Sequence, residues 1–328
     1  MKIEGEMLMK KSLIALAVAG ALTAPMVAQA DATLYGSFRI GLMAADNQDL
    51  DLRDESTRIG IKGTVDLGLE DTKGVFHWEE QVSTADGGTF GAGNVQSSGS
   101  SFWNTRLSYA GLTGSWGTVL AGRQYHPHYL WVNLTTDVLN TATGDAGEWA
   151  HLGNNSHKRQ DNTVAYLSPN MSGFQAAAGF VVAGTADDSA DDVDGYNIAA
   201  KYNAGGLYLA ASYADVDVLN RETMGLAAKY KFDAVTVAAR YEEQENSGVD
   251  SEVVEVAGIY SIGATNLKLR YSNKEVGSAD GDQWAAEVEQ RLGKKGRVYL
   301  GYFAFDNDAE AMSAAYVDRL ALGYRIDF

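Results

Sequence analysis

Along residues 320–328 apolar and charged side chains take turns. Leu320, Leu322, Tyr324, Ile326 and Phe328 fall on one parity, and Arg325 and Asp327 on the other, in line with Arg319 just before. An extended strand sends alternate side chains to opposite faces, so this segment has one oily, aromatic face and one charged face. The same period of two recurs through most of the chain after Asp31, with almost no helical periodicity. Leu34, Gly36, Phe38, Ile40 and Leu42 oppose Tyr35, Ser37 and Arg39, while Ile59, Ile61, Val65 and Leu67 oppose Arg58, Lys62, Thr64 and Asp66. Phe76 and Trp78 oppose His77, Glu79 and Gln81, and Leu107 with Tyr109 is expected to oppose Arg106 with Ser108. Later, Leu267, Leu269 and Tyr271 oppose Lys268, Arg270 and Lys274, and Val298, Leu300 and Tyr302 oppose Arg297. Two stretches read less cleanly: residues 252–262 alternate imperfectly, and the inward face near residues 119–123 is ambiguous by one residue.

In a soluble protein the oily faces would meet a core. In an outer-membrane barrel they would meet lipid, with the charged faces turned to a water-filled lumen. A basic side chain on the lipid face near the midplane costs about 2–4 kcal/mol. Nearly every strand Lys and Arg here takes the parity opposite the apolar one, as a barrel requires. The connections alternate too. Short turns rich in Gly, Asn and Asp fall near residues 69–74, 113–116, 169–173, 203–206, 232–233, 263–266 and 293–296. Between them lie longer polar stretches, chiefly 84–102 and 125–158, with 243–251 and 275–282 also reading as loops. The sequence thus predicts an all-β fold, a 16-stranded antiparallel transmembrane barrel. Membrane strands take about 9–11 residues each, so the length accommodates that number. Such a barrel is too wide for side chains to fill and leaves an aqueous channel.

Composition changes this picture little. The chain has 328 residues, no cysteine and only three prolines. No stretch after residue 30 has the roughly 18 apolar residues that a membrane helix needs. The mean hydropathy of −0.20 is no objection, because barrel strands are only half apolar. The amino-terminus says more. Lys10 and Lys11 precede an apolar run over residues 13–24, and Ala28-Gln29-Ala30 forms a small-residue cleavage site. Residues 1–30 are therefore expected to be a secretory signal peptide, with Met9 the natural start and residues 31–328 the barrel. The net charge of −17 argues against nucleic acid as a partner and against unassisted attraction to anionic lipid headgroups. Divalent cations bridging acidic loops such as residues 187–194 to lipopolysaccharide phosphate are a further expectation.

Several short pieces resemble one family, the Gram-negative trimeric general porins. They are Thr33-Leu34-Tyr35-Gly36, Ser56-Thr57-Arg58-Ile59-Gly60-Ile61-Lys62-Gly63, Thr105-Arg106-Leu107-Ser108-Tyr109-Ala110-Gly111-Leu112 and Gly122-Arg123-Gln124. Arg159-Gln160-Asp161-Asn162-Thr163-Val164-Ala165-Tyr166 with Ser168-Pro169, and the terminal Phe328, complete the set. Each is weak alone; their order and spacing carry the match. The resemblance implies a homotrimer in the outer membrane that lets small hydrophilic solutes and ions diffuse passively. It implies that the loop at 125–158 folds into the lumen and that the loop at 84–102 reaches a neighbouring subunit. It also implies a constriction whose basic wall is Arg58, Arg106 and Arg159, with Arg39 and Arg123 as additions, facing Asp137, Asp145 and Glu148. Opposed charges across a narrow, partly desolvated passage set up a transverse field that favours polar solutes. One departure stands out: where the family loop has a second carboxylate this chain has Thr141.

Other chemistry is weaker. His126 and His128, with His151 and His157 in the same loop, have a metal-like spacing but no thiol or suitably spaced carboxylate beside them. The acidic run 187–194 lacks the ordered spacing of a calcium loop. No nucleophile elbow or phosphate cradle is present, so neither catalysis nor a cofactor is expected. A solute-selective channel is the first alternative, for a sugar or organic acid, with Tyr125, Tyr129, Trp131 and Trp149 as a slide. A non-conducting structural or receptor barrel is the second. Acidic loops pull the ion preference toward cations and inward Lys and Arg pull it back; the balance leans to cations.

Overall fold

The computed structural model describes residues 30–85, 103–141, 149–152, 158–182, 184, 192–216 and 220–328. Residues 1–29 of the expected leader, residues 86–102 of the second loop, and Asp145, Glu148 and His157 lie outside them. Strand β1 spans Ala30–Ala45, and β2 comes in two pieces, Asp51–Asp54 and Arg58–Leu69. There follow β3 (Thr72–Val82), β4 (Trp103–Gly114), β5 (Gly117–Tyr125), β6 (Arg159–Leu167), β7 (Phe174–Val181) and β8 (Gly195–Ala204). The second half holds β9 (Leu207–Val216), β10 (Arg221–Phe232), β11 (Val235–Asn246), β12 (Val249–Ile262), β13 (Thr265–Val276), β14 (Ala279–Leu292), β15 (Gly296–Phe305) and β16 (Arg319–Asp327). Each strand pairs antiparallel with the next, and β16 pairs with β1, closing a barrel of 16 strands. Among the described residues no helix is long and apolar enough to cross a membrane, which says nothing of strands.

Both pieces of β2 face β1: Asp51–Asp54 run against residues 40–43, and the longer piece against residues 30–37. The gap is bridged rather than open. Glu55 N donates to Arg39 O at 3.1 Å, and the Thr57 hydroxyl donates to the same carbonyl while accepting from Arg39 N. The alternation predicted for β16 holds. Leu320 and Leu322 are 45% and 54% exposed, whereas Arg319 and Ala321 are 4% and 1% exposed. The apolar parity therefore faces outward, and the charged parity lines the inside of the closed wall.

Two expectations fail locally. Leu107 and Tyr109 do not face outward: Trp78 pairs with Ser108, and His77 with Tyr109, so Ser108 takes the lipid side and Tyr109 the lumen side. The register slips where Glu79 and Glu80 meet Leu107 and Thr105, leaving Arg106 as the extra residue. Such a bulge lets one side chain escape strict alternation, and Arg106 still turns inward. The polar stretches at 243–251 and 275–282 are strand, not loop. β11 and β12 pair to Asn246 and Val249 around Ser247 and Gly248, both at positive φ (53° and 80°). Two residues at positive φ give the tight hairpin turn whose twist suits antiparallel strands. β13 and β14 likewise pair to Val276 and Ala279. These strand ends are acidic because backbone pairing continues past the lipid into water, where side chains need no oily face. Residues 252–262 form regular strand, and near 119–123 Val119 and Ala121 pair with the outward Leu112 and Ala110.

The apolar core sits inside the barrel, between the wall and the segment after β5. Helix α1 (Pro127–Trp131) and a 3₁₀ turn (Asn133–Thr135) put Trp131 and Val132 against Ala177, Ala199, Ala210 and Ala227, inward residues of β7 to β10. Four small side chains leave a groove that a helix can enter. Gly225 extends it: a Cβ there would come within 2.6 Å of His128 Cε1. A second cluster joins Leu139, Trp149, Ala150 and Leu152 to Val253, Ala285, Phe303 and Phe305. Ala309 of helix α2 (Asn307–Met312) seals its edge; Asp306 caps that helix by accepting from Ala309 N at 2.8 Å.

Candidate functional site

Arg39, Arg58, Arg106, Arg123 and Arg159 line one cavity of about 880 Å³, together with Asp137. The five predicted basic residues thus meet, carried by β1, β2, β4, β5 and β6 along one continuous stretch of wall. Arg325 of β16 and Lys158 line the same cavity, which the sequence reading did not single out. Arg325 lies on the charged parity of the last strand and becomes the cross-strand partner of Arg39 when the barrel closes. Tyr125, Tyr129, Leu134, Leu139 and Asn140 also line the cavity, Tyr125 standing beside Arg106 and Arg159.

The arginines are held in different ways. Arg106 Nε donates to Glu79 Oε1 at 2.6 Å, and its Nη2 donates to the Tyr125 hydroxyl at 3.2 Å. The other Glu79 oxygen accepts from the Tyr35 hydroxyl at 2.7 Å, and Tyr35 also contacts His77, which contacts Tyr109. This chain of polar contacts fixes the Arg106 guanidinium. Arg159 lies over the Tyr125 ring, 5.4 Å from its centre. Arg123 Nη1 is 2.8 Å from both oxygens of Asp161. Arg39 donates to Ser37 Oγ, and Arg325 to Asp327 Oδ1. Like charges directly opposed on neighbouring strands destabilise a sheet. Arg39 against Arg325 therefore costs stability for something other than folding.

The described residues of the segment after β5 are hydrogen-bonded to side chains of β11, β13 and β14. Asn133 Nδ2 donates to Glu242 Oε2 at 2.7 Å. Asn140 Nδ2 donates to Glu287 and Glu289, and Asn140 N donates to Glu287 as well. Arg240 donates to Thr136 Oγ1 and to Ala150 O, and Lys274 to Trp149 O. Thr141 is buried and is not among the residues lining the cavity. His128 meets Ser212 at 2.6 Å and Glu242 at 3.3 Å, which makes it part of this fastening. Trp131 and Trp149 are buried in the two clusters, so of the expected aromatic slide only Tyr125 and Tyr129 reach the cavity. His151 packs against Tyr129; burial, reinforced by the Arg240 guanidinium, holds its imidazole well below the usual range and therefore neutral.

Among the described residues, seven cationic side chains line this cavity with one carboxylate, that of Asp137. Glu79, Asp161 and Asp327 offset Arg106, Arg123 and Arg325 from behind. What faces the water remains basic. Such an arrangement attracts anions, orients dipoles across the passage, and offers planar guanidinium groups to carboxylate or phosphate oxygens.

A family model described as Gram-negative porin matches residues 15–310. Outer membrane protein U of Vibrio parahaemolyticus is 30% identical over 98% of this chain and 100% of its own length. Two solved structures are similar in fold. An anion-selective porin from Comamonas acidovorans superposes with a TM-score of 0.69 at 20% identity, covering 92% of this chain and 100% of that one. OmpT in its trimer form, an outer membrane protein of Vibrio cholerae, gives 0.67 at 15% identity, covering 91% and 99%.

Proposed function

The chain belongs to the family of Gram-negative porins, and from that premise we propose how its lumen sorts the solutes that pass. It is an outer-membrane porin for the passive diffusion of small hydrophilic solutes and ions. The cavity bounded by Arg39, Arg58, Arg106, Arg123 and Arg159 on one side and Asp137 on the other is its constriction. The loop after β5 narrows the passage, which its fastening to Glu242, Glu287 and Glu289 supports. The preference at this point is for anions. That departs from the balance expected from net charge, because an ion's passage is governed by the charges it meets at the narrowest water rather than by the total on the chain. The single observation that carries this reading is the seven-to-one excess of cations among the described residues that line the cavity. The anion selectivity of the similar Comamonas porin is in keeping with it.

Export by a cleaved leader at residues 1–30 and assembly as a homotrimer belong to the same proposal, the latter in line with the trimer form of the Vibrio neighbour. The test is the reversal potential across a planar bilayer in a potassium chloride gradient. Stepwise conductance with a chloride-directed potential is expected. A potassium-directed potential would overturn the selectivity, and absence of steps would overturn the channel.

A further inference from the structure

We infer that the constriction transiently binds carboxylates that carry an apolar body, such as medium-chain monocarboxylates, in preference to small hydrophilic anions of equal charge. This rests on the anion-preferring reading of the same cavity and adds a chemical class to it. The observation behind it is Leu134. It lies in the 3₁₀ turn between Asn133 and Thr135, both buried against the wall, yet it is 37% exposed and lines the cavity. A lone exposed leucine on an outer surface needs no explanation. Here it lines a cavity that also presents guanidinium groups, and it is not isolated. Tyr125 and Tyr129, rings stacked with centres 5.4 Å apart, line the same cavity.

Two unlike surfaces therefore bound one water-filled space. The arginine side matches the planar, two-oxygen end of a carboxylate. The side made by Leu134 and the two tyrosines can take apolar surface out of water. Arg159 joins them, since its guanidinium lies over the Tyr125 ring. A phosphate or acetate ion satisfies the first surface and gains nothing from the second. A sugar would need flat aromatic faces open to the lumen, and the two tryptophans of this segment are buried. An anion with a short hydrocarbon body is the class that uses both.

The experiment uses the purified full-length protein in a planar bilayer carrying chloride current. Acetate, hexanoate and inorganic phosphate are added in turn, with a protein-free bilayer as the control for partitioning. Hexanoate is expected to reach half-block at a concentration about tenfold lower than acetate, a fraction of what full burial of its four extra carbons would give. The hexanoate-to-acetate ratio within one channel is the readout, so a change in total conductance cancels. Leu134→Asn should bring that ratio close to one, and Arg159→Gln should weaken both acids together. Equal block by the two acids, or a ratio that survives Leu134→Asn, overturns the inference and leaves the anion-selective channel intact. A potassium-directed reversal potential removes that channel reading and this one with it.

Discussion

Arg106 and Glu79 meet at 2.6 Å between Nε and Oε1, each side chain only 6% exposed. The bulge in β4 makes this contact possible, because Arg106 is the residue the ladder leaves over. Breaking such a pair from one side strands a buried charge, at a cost of about 3–5 kcal/mol. Glu79→Gln should therefore lower the urea midpoint of the refolded barrel. It should also push the reversal potential further toward chloride, since a negative charge behind the pore is lost. A stability change with no shift in potential would separate Arg106 from the ion path.

Asp137 is the carboxylate among the cavity's lining residues. A unit charge about 8 Å from a passing ion contributes about 2 kcal/mol at an effective dielectric of 20, less after salt screening. Asp137→Asn should raise the chloride-to-potassium permeability ratio severalfold, and Arg58→Gln should lower it. Reversal potentials at two ionic strengths check both, the shifts being smaller at high salt.

Asn140 ties the segment after β5 to Glu287 and Glu289 through its side-chain amide. Hydrogen bonds to charged groups contribute about 1.5–3 kcal/mol each. Asn140→Ala should loosen the segment, seen as larger and noisier single-channel steps. Lys268 still neutralises both carboxylates, so the barrel itself should refold with an unchanged midpoint.

His151 gives the docked segment a pH dependence of definite sign. Its imidazole is held neutral in the docked state, below the ordinary value of 6.5. The undocked segment takes up a proton that the docked one refuses. Docking strength is therefore fully present above that value and falls as the pH drops below it. Current fluctuations should increase between pH 7.5 and 5, and His151→Phe should flatten that dependence. Fluctuations that persist in the variant would assign the effect to another group.

The outward face answers to a different rule. Leu322, midway along β16, is 54% exposed on the apolar parity. Leu322→Arg should cost about 2–4 kcal/mol in a bilayer. Refolding yield into liposomes reads the loss, and the same change assayed in mild detergent should be better tolerated.

Much of this was legible from alternation alone. β16 and β1 read directly, because the outward parity of each carries no charged residue and is rich in large apolar side chains. β4 misled because a one-residue bulge reverses parity without any mark in composition. Residues 243–251 misled for the opposite reason: Glu243 pairs with Glu252 and Glu245 with Asp250, and strand in water carries no apolar signature. At the site, resemblance supplied the arginines that the cavity gathers. Arg325 and Lys158 were hidden because membership depends on closure and on the path of the loop, neither of which a linear pattern records.

The seam between β1 and β16 sets the tempo of assembly. Gly36 and Phe328 exchange backbone hydrogen bonds at 3.2 and 3.0 Å, joining residues that lie nearly the whole polypeptide apart. Every other neighbouring pair of strands is consecutive in sequence and can pair across its own connection, but this one must wait for the ribbon to curl round. Until then two long edges stay unpaired and open to foreign strands. The Phe328 ring lies over Gly36, so a methyl group there would have to push that ring aside before the latch could close.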